Sequence, residues 1–522
     1  MAENVFTIPP MLGGLVKSRP DWLLRPFESR NHSGVWVIDG IEQKRPGCRL
    51  FAEVPDEGEK RPTVNAIRQY PKNNGDTHVV VSTEKKFYEY TGSTLVDRTG
   101  ETDFSTPAGG QVSTAVLEDL FLYTNYYDPP KKWDGVTETI SDLGGAPKRA
   151  KVMTTFRNML ILGNLSDGVT AFPQTLAVSA IGNPEAWSPD DEIVLGMTPD
   201  HIVNISQMHG DLIVYKGNGI STMRYVGGSL IFEVDENRFY GCGLAAANSL
   251  ARDGSYHYFL GRETGKTGFY AFDGVNPPRC ISDPIFSVLN NLTPNARMGT
   301  YGFYWGYYGL VVWLVAMAPS TQPNVMLAYR PETQDAPAAW YYVPIDATMF
   351  FPYWETADAQ WNELRATSWA DWDWAAWDTA LASGNAPLIL KAASDGNIYQ
   401  VEGTDDNGVD YEAFVDRGFF HFNDQDPRSL DYLYRIEFET TRRGEGEILD
   451  IELFTDNDPD TPVVLNDAGD KKVSITLDGT GSVVRNAADV SVAGNSFMLR
   501  YGSSNPFAVH RIRLFWDTIG MT

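Results

Sequence analysis

The chain has 522 residues, of which 43% are hydrophobic, and its 42 basic and 68 acidic side chains give a formal net charge of −26. This much apolar sequence excludes wholesale disorder. So acidic a chain also excludes a protein that grips nucleic acid through a basic surface. The acidity instead predicts good solubility, or a surface to which DNA does not adhere.

The composition favours strands over helices. Aromatic residues make up 12% of the chain, which also contains 47 Gly and 31 Pro. Aromatic residues favour strands, and Gly and Pro favour the tight turns between them. Helix-forming runs with a 3.6-residue period are scarce. We therefore predict an all-β fold of many short strands.

The cysteines and the N-terminus indicate a protein made in a reducing cytosol. Cys48, Cys242 and Cys280 are far apart and odd in number, so we predict free thiols and no disulfide framework. The N-terminus lacks a basic segment followed by a long apolar one, so no signal peptide is expected.

The first residues of the chain show no clean periodicity. They include Pro9, Pro10, Gly13 and Gly14, and Pro and Gly both disfavour a regular strand. We predict an extended N-terminal arm, or a set of turns, over residues 1–33.

Residues 34–416 contain a recurring unit of two short strands, the second of which ends in a turn with glycine. The first strands of successive units begin mostly 39 to 53 residues apart, at 79–82, 120–124, 159–163, 212–215, 256–260, 310–313 and 388–390. Repeats of about 40–50 residues are typical of propeller blades, which bury their faces by stacking on one another. We predict a β-propeller of six to eight blades, with residues 36–40 as the strand that closes the ring.

One uncharged segment tests the prediction of a soluble protein. No charged residue lies between Arg297 and Arg330, and residues 309–317 are strongly apolar. A membrane helix needs about 20 continuous apolar residues, and glycines interrupt this segment. We predict two buried strands joined by a turn, and no membrane span.

A tryptophan-rich insertion, residues 340–380, interrupts the repeat. Residues 340–378 hold seven of the fourteen tryptophans and have one Arg against seven acidic residues. Exposed aromatic side chains are typical of interfaces, but the same rings could instead cover one end of the propeller as a small separate core. Both interpretations stay open, and the candidate interface residues are Trp354, Trp361, Trp369, Trp372, Trp374 and Trp377.

Residues 417–522 have the pattern of a separate domain. Segments such as 434–440 and 449–454 alternate apolar and charged residues, as half-buried strands do. About seven such strands in about 100 residues are typical of a β-sandwich. We predict a C-terminal β-sandwich.

No motif predicts catalysis or a bound cofactor. Residues 261–267 resemble a phosphate-binding loop, but only three residues separate the glycines and the segment joins two strands, so we predict a hairpin turn. Residues 456–460 resemble a calcium loop without its glycine, and we predict an acidic turn. The seven histidines show no metal-ligand spacing, and no serine–histidine–acid motif is recognisable. We predict that the protein is not an enzyme and uses no cofactor or metal.

Several short phrases of the sequence, in their order along the chain, carry a family resemblance. The most telling phrase is residues 176–187, a strand and a turn that end in Trp187. The other phrases are the Pro-Pro and Gly-Gly pairs near the N-terminus, Arg45-Pro46-Gly47, Trp133-Asp134-Gly135, and residues 157–163 and 232–243. Together they resemble the tail hub, nozzle and packaged-DNA-stabilisation proteins of podovirus-type phages. The resemblance covers about residues 5–420, and the tryptophan-rich insertion departs from it.

The resemblance implies a structural protein of the virion tail, synthesised in the host cytoplasm. By family, such β-propeller proteins assemble as a homo-oligomeric ring, usually a hexamer, below the portal and adaptor. The ring, as hub or nozzle, extends the channel for double-stranded DNA and helps retain and then eject the packaged genome. An acidic lumen would repel phosphates and let DNA slide without tight binding.

Two other functions stay open. A tail-associated adhesin would bind glycans through aromatic rings, for which the tryptophan-rich insertion is the candidate. A propeller glycoside hydrolase would need carboxylates from different blades close together in the central funnel.

Overall fold

Strands and tight turns make up nearly all of the described chain. The computed structural model describes residues 4–58, 61–107, 109–227, 231–263, 265–354, 387–422, 430–441, 447–477 and 483–518. Helical residues in these ranges form the single-turn helix α1 (Phe286–Leu289) and 3₁₀ turns at Asp21–Leu23, Ala247–Ser249, Asp283–Ile285 and Pro294–Gly299. The predicted all-β fold is confirmed.

Six strands precede the first complete blade. They are β1 (Asn4–Ile8), β2 (Gly14–Leu15), β3 (Glu28–Ser33), β4 (Val35–Ile38), β5 (Ile41–Lys44) and β6 (Arg49–Ala52). Three of them lie within residues 1–33 and pair with strands from distant parts of the chain. The structure therefore corrects the predicted arm. Strands this short, interrupted by proline, carry no periodicity of their own and become regular by pairing with distant partners.

The propeller begins with four blades, each an antiparallel sheet of four strands in chain order. Blade 1 contains β7 (Val64–Pro71), β8 (Thr77–Thr83), β9 (Phe87–Tyr90) and β10 (Leu95–Asp97), and blade 2 contains β11 (Ser113–Leu117), β12 (Leu120–Thr124), β13 (Lys131–Trp133) and β14 (Ser141–Asp142). Blade 3 contains β15 (Arg149–Phe156), β16 (Met159–Ser166), β17 (Ala171–Ala180) and β18 (Asn183–Val194), and blade 4 contains β19 (Ile202–Met208), β20 (Asp211–Lys216), β21 (Gly219–Tyr225) and β22 (Phe232–Tyr240).

Three further blades complete the ring, and in blade 5 two short strands share the innermost position. Blade 5 contains β23 (Cys242–Leu244), β24 (Ala251–Arg252), β25 (His257–Glu263), β26 (Lys266–Phe272) and β27 (Arg279–Cys280). Blade 6 contains β28 (Tyr301–Trp305), β29 (Leu310–Val315), β30 (Val325–Arg330) and β31 (Ala339–Pro344). Blade 7 contains β32 (Met349–Tyr353), β33 (Leu388–Ala392), β34 (Ile398–Gln400) and the N-terminal β6.

The ring is closed by β6, which pairs antiparallel with β34 so that Ala52 lies opposite Ile398. Residues 36–40, the predicted closing strand, instead include part of β4, which pairs with β5 in the sandwich. The buried Trp36 of β4 packs edge-on against Trp305 of blade 6, with 5.5 Å between ring centroids. The prediction failed because an apolar pattern indicates that a strand is buried without indicating its partner.

The core consists of apolar clusters between neighbouring blades, and one cluster joins blade 7 to blade 1. The second strand of each blade is largely buried, and every residue of β16 and of β29 is buried. The seven repeating segments of the sequence fall on these second strands. The predicted propeller of six to eight blades is confirmed, with seven.

The C-terminal strands form a β-sandwich together with N-terminal ones. They are β35 (Ala413–Arg417), β36 (Asp431–Thr441), β37 (Ile448–Thr455), β38 (Val473–Thr476), β39 (Val483–Gly494), β40 (Phe497–Ser503) and β41 (Ala508–Thr518). One sheet has the order β39-β36-β41-β5-β4, with β1 also on β41, and the other has the order β3-β35-β40-β37-β38. Leu433 and Ile512 of the first sheet share one apolar core with Ile451 and Leu499 of the second. The predicted sandwich is confirmed, but strands from before residue 48 complete it.

Blade 6 and the sandwich are joined by β2, which makes them one ten-stranded sheet. β2 pairs in parallel with β31 on one side and with β3 on the other. Gly14 makes this junction possible: its φ is +63°, and a Cβ there would lie 2.4 Å from the carbonyl oxygen of Trp340. Only glycine tolerates both this conformation and this approach.

The structure shortens the predicted insertion. Trp340 lies in β31, is buried, and donates its indole N–H to the carbonyl of Ile281 at 2.9 Å. β32 follows and ends at Tyr353. Because these strands are part of blades 6 and 7, the insertion begins after residue 353, and residues 355–386 lie outside the described ranges.

Two local predictions, a hairpin turn and a pair of strands, are confirmed. Residues 261–267 lie in the hairpin of β25 and β26, where Glu263 pairs with Lys266. The uncharged segment after Arg297 forms the paired strands β28 and β29. Among the described residues, no helix is long and apolar enough to cross a membrane.

His32 in β3 is buried beside β2, the strand that joins blade 6 to the sandwich, and it is neutral. The backbone N–H of Tyr342 donates to its Nε2 at 2.9 Å, so the ring proton lies on Nδ1 and is donated to the Ser29 hydroxyl at 2.7 Å. Burial, together with the charges of Lys17 and Arg417, lowers the pKa of His32 from 6.5 to about 3. Protonation would remove the acceptor that holds Tyr342.

We expect acid to destabilise the protein through His32. Between pH 6.5 and about 3 the unfolded chain binds a proton that the folded one does not, so the free energy of unfolding falls as the pH falls. The slope from this residue is about 1.4 kcal/mol per pH unit. Urea unfolding at several pH values should show a shallower slope for His32→Gln than for the unaltered protein. His209→Asn is the control, because His209 is exposed and Asn tolerates its φ of +51°. Equal slopes for the unaltered protein and His32→Gln would contradict this role.

Candidate functional site

The seven blades surround a central cavity of about 460 Å³. Its walls come from the innermost strand of each blade, including β7, β15 and β28, and neighbouring inner strands contact one another around the ring. Inner strands of propellers line a channel because the blades are arranged radially. Residues from all seven blades therefore meet in one space.

Two arginines give this channel a positive charge. Arg68 of blade 1 and Arg252 of blade 5 lie in its wall, and the described residues that line it include no carboxylate. The other polar groups of the wall are hydroxyls and amides, among them Thr154 and Asn248. The channel is therefore basic although the chain as a whole carries a charge of −26.

Neighbouring blades hold both guanidinium groups in place. Arg68 donates from Nε to the Thr114 hydroxyl at 3.1 Å and from Nη1 to the carbonyl of Ile67 at 2.9 Å. Arg252 donates from Nη1 to the Ser206 hydroxyl at 3.1 Å. Burial lowers the pKa of Arg252, and the charge of Arg68 lowers it further.

A break in the inner strand of blade 5 positions Arg252. The 3₁₀ turn Ala247–Ser249 separates β23 from β24 and carries Asn248 into the channel wall. Side chains of the adjacent blades bind the freed carbonyls: Asn204 donates to Ala247 at 2.6 Å, and Trp313 donates to Ser249 at 2.8 Å. Because these carbonyls are satisfied, the break is a stable feature of the channel.

A second polar site lies where the sandwich meets blades 6 and 7, beside a cavity of about 400 Å³. Arg45 binds both carboxylate oxygens of Asp406, at 2.9 and 2.5 Å, and its guanidinium lies 3.8 Å from the ring centroid of Tyr411. Burial would raise the pKa of Asp406, but the Arg45 guanidinium outweighs burial and holds that pKa below its ordinary value. Two residues later, Gly47 N–H donates to the carbonyl of Gly403 at 2.9 Å.

A third polar group connects the two sheets of the sandwich. Glu42 of β5 is fully buried and accepts hydrogen bonds from Arg417 of β35 and from the Tyr501 hydroxyl of β40. Burial alone would lower the pKa of Arg417, but the charge of Glu42 and the hydrogen bond to the Tyr501 hydroxyl raise it above its ordinary value. We interpret these contacts as structural because the Arg417 side chain is 2% exposed and that of Glu42 is 0% exposed.

Of the six candidate interface tryptophans, Trp354 is described. This residue is 54% exposed, and its backbone is held at both N–H and C=O by the Gln69 amide, at 3.1 and 2.7 Å. Trp361, Trp369, Trp372, Trp374 and Trp377 lie outside the described ranges. The candidate interface stays a prediction.

Within the described ranges, no three His, Cys, Asp or Glu side chains form a group that could hold a metal ion. Cys48 and Cys242 are buried, Cys280 is partly buried, and all three are free thiols, as predicted. Burial raises the pKa of each of these thiols, which makes them poor nucleophiles.

Neither a family model nor a curated protein matches the chain. Among solved structures, it is similar to BamB from Moraxella catarrhalis, with a TM-score of 0.38, 9% identity, and coverage of 71% of this chain and 94% of that one. It is also similar to the Pan2 WD40 domain of Neurospora crassa (TM-score 0.37, 10% identity, 69% and 94% covered) and to YCF48 bound to D1 peptide (0.37, 10%, 68% and 99%). These similarities support no function, and the seven-bladed fold rests on the strand order.

Proposed function

We propose that this protein is a structural component of a phage tail. In this proposal it assembles as a ring, either a hub or a nozzle, that extends the DNA channel and helps retain and then eject the packaged genome. The observation that carries the proposal is the ten-stranded sheet that runs from blade 6 through β2 into the sandwich. A ring that bears load along a tail needs subunits whose domains do not hinge, and a continuous hydrogen-bonded sheet supplies this rigidity because a hinge would break its ladder.

Three of the phrases that resemble tail proteins lie at junctions of the fold. Gly14 brings β2 against blade 6, and Arg45 and Gly47 lie where the chain passes from the sandwich to blade 7. The Trp133–Gly135 turn of blade 2 docks on blade 1, where Lys72 donates to the carbonyl of Asp134 at 2.8 Å. This supports a common architecture, because these residues determine how blades and domains fit together.

Particle mass and shape test the proposal directly. We expect mass photometry of the purified chain to show one discrete oligomer, with six copies of the 58.1 kDa subunit as the expected state, and negative-stain images to show rings. A ring has a fixed mass across protein concentrations, whereas aggregates grow, so a dilution series is the control. A monomer at every concentration, together with its absence from purified phage tails, would overturn the proposal.

A glycan array separates this function from an adhesin. The structural proposal predicts no glycan-specific signal for the isolated protein. Selective binding that is lost on Trp354→Ala would favour the adhesin, since this tryptophan is exposed beside the insertion.

A further inference from the structure

The two arginines of the central channel have no acidic partner among the described residues, unlike several arginines elsewhere in the protein. Arg45, Arg417 and Arg500 each bind an acidic side chain. Arg68 and Arg252 form no ion pair with any described residue, although acidic side chains outnumber basic ones in the chain by 68 to 42. The channel therefore concentrates positive charge that the protein itself does not neutralise.

The free donors of the two guanidiniums face the same space. Blades 1 and 5 lie on roughly opposite sides of a ring of seven, so Arg68 and Arg252 approach the cavity from opposite walls. Among described residues, Nη2 of Arg68 and both Nε and Nη2 of Arg252 have no hydrogen-bond acceptor. Two like charges in a confined, protein-lined space repel each other, and an anion between them would relieve this repulsion.

The remaining wall is suited to a small organic molecule. Thr114, Thr154 and Asn248 offer hydroxyl and amide groups, while Tyr304 and Phe351 add aromatic surface from blades 6 and 7. Small-molecule sites are typically cavities of about 300–1,000 Å³ in which a few polar groups converge between apolar walls. The channel, at about 460 Å³, has this size, and its wall is mostly polar, which suits a hydrophilic ligand.

We propose that the central channel of the propeller is a binding site for a small organic oxyanion. A carboxylate or phosphate group of the ligand is held between Arg68 and Arg252, and a hydroxyl-bearing body of about the size of a monosaccharide contacts the polar wall. This site is independent of ring assembly, because each subunit contains the whole channel.

Calorimetric titration at low ionic strength tests the site with defined probes. We expect glucose 6-phosphate and glucuronate to bind and neutral glucose not to bind. The stronger of the two anions identifies the preferred oxyanion, and titrations with inorganic phosphate and citrate measure what the charge contributes without the sugar body. Raising the salt concentration should weaken binding, because partly exposed charges are screened.

Arg252→Gln is the decisive variant, because the Arg252 side chain makes one hydrogen bond to the described residues and its loss should leave the fold intact. We expect at least a tenfold weaker Kd for the preferred anion, a smaller loss for Arg252→Lys, and no binding for Arg68→Gln combined with Arg252→Gln. Arg224→Gln is the matched control, since Arg224 lies on the third strand of blade 4 with its side chain 61% exposed. Thermal unfolding without ligand checks that each variant is folded.

The site would be disproved if no probe bound the unaltered protein at millimolar concentration. It would also be disproved if folded Arg252→Gln bound the anions as tightly as the unaltered protein, or if Arg224→Gln lost binding to the same extent.

Discussion

Arg417→Met is expected to destabilise the protein by about 3–5 kcal/mol, the usual result of removing one partner of a buried ion pair. The substitution leaves Glu42 charged and fully buried between the sheets of the sandwich, with the Tyr501 hydroxyl and the backbone N–H of Met11 as its remaining partners. A buried carboxylate without its counter-charge is unfavourable in a low-dielectric interior. The shift of the urea midpoint in equilibrium unfolding measures the loss.

The double variant Glu42→Leu with Arg417→Met separates the charge from the packing. Nε and Nη1 of Arg417 are buried without a hydrogen-bond partner among the described residues, so the native pair is itself only partly satisfied. Replacing both partners by apolar groups is often neutral or stabilising. We therefore expect the double variant to recover most of the stability lost in Arg417→Met. If the two substitutions instead destabilised the protein additively, the coupling between the charges would be refuted.

Gly47→Ala is expected to cost about 3 kcal/mol, at the upper end for overpacking a well-packed site. A Cβ at this position would lie 1.9 Å from the carbonyl oxygen of Asp405, which is backbone and cannot rotate away. The displacement would separate the chain from Gly403 just before β6, the strand that closes the ring. We expect a lower unfolding temperature and faster proteolysis of the chain before blade 1.

Gly299→Ala is the matched control for this substitution. An added Cβ at Gly299 meets no atom within 4 Å, so its unfolding temperature should stay close to that of the unaltered protein. Equal unfolding temperatures for Gly47→Ala and Gly299→Ala would show that the close approach at Asp405 does not limit stability.

The repeat could be predicted because the second strand of each blade is buried on both faces. A strand such as β29, with six consecutive buried apolar residues, is recognisable without knowledge of its neighbours. The N-terminal strands could not be assigned in this way. Lys44 of β5, for example, donates through its ammonium group to the carbonyl of Ser504, and no local pattern indicates a partner 460 residues away.

The channel arginines, Arg68 and Arg252, could not be identified from the sequence, for a related reason. The inner strand of a blade has one face toward the channel and is therefore less apolar than the second strand. For instance, β11 is mostly half-buried, whereas β12 beside it is mostly buried. Because the inner strand is less apolar than the strand that follows it, the hydrophobic pattern identified the second strand of each blade as the first strand of the repeating unit. Arg68 and Arg252 then looked like ordinary surface residues. A useful signal was present in the repeat itself, since each inner strand precedes its apolar neighbour by one short turn.

The pairing of β1 with β41, which places Asn4 opposite Trp516, also sets the order of events during synthesis. At about 5–20 residues per second, the partner of β1 is made roughly 25–100 s after β1 itself. Blades 1 to 4 can form as the chain is made, but β1 and β5, which both pair with β41, each keep an unpaired edge until β41 has been made. Unpaired edges promote aggregation, so the nascent chain is vulnerable at β1 and β5, and the sandwich completes its folding after the first blades.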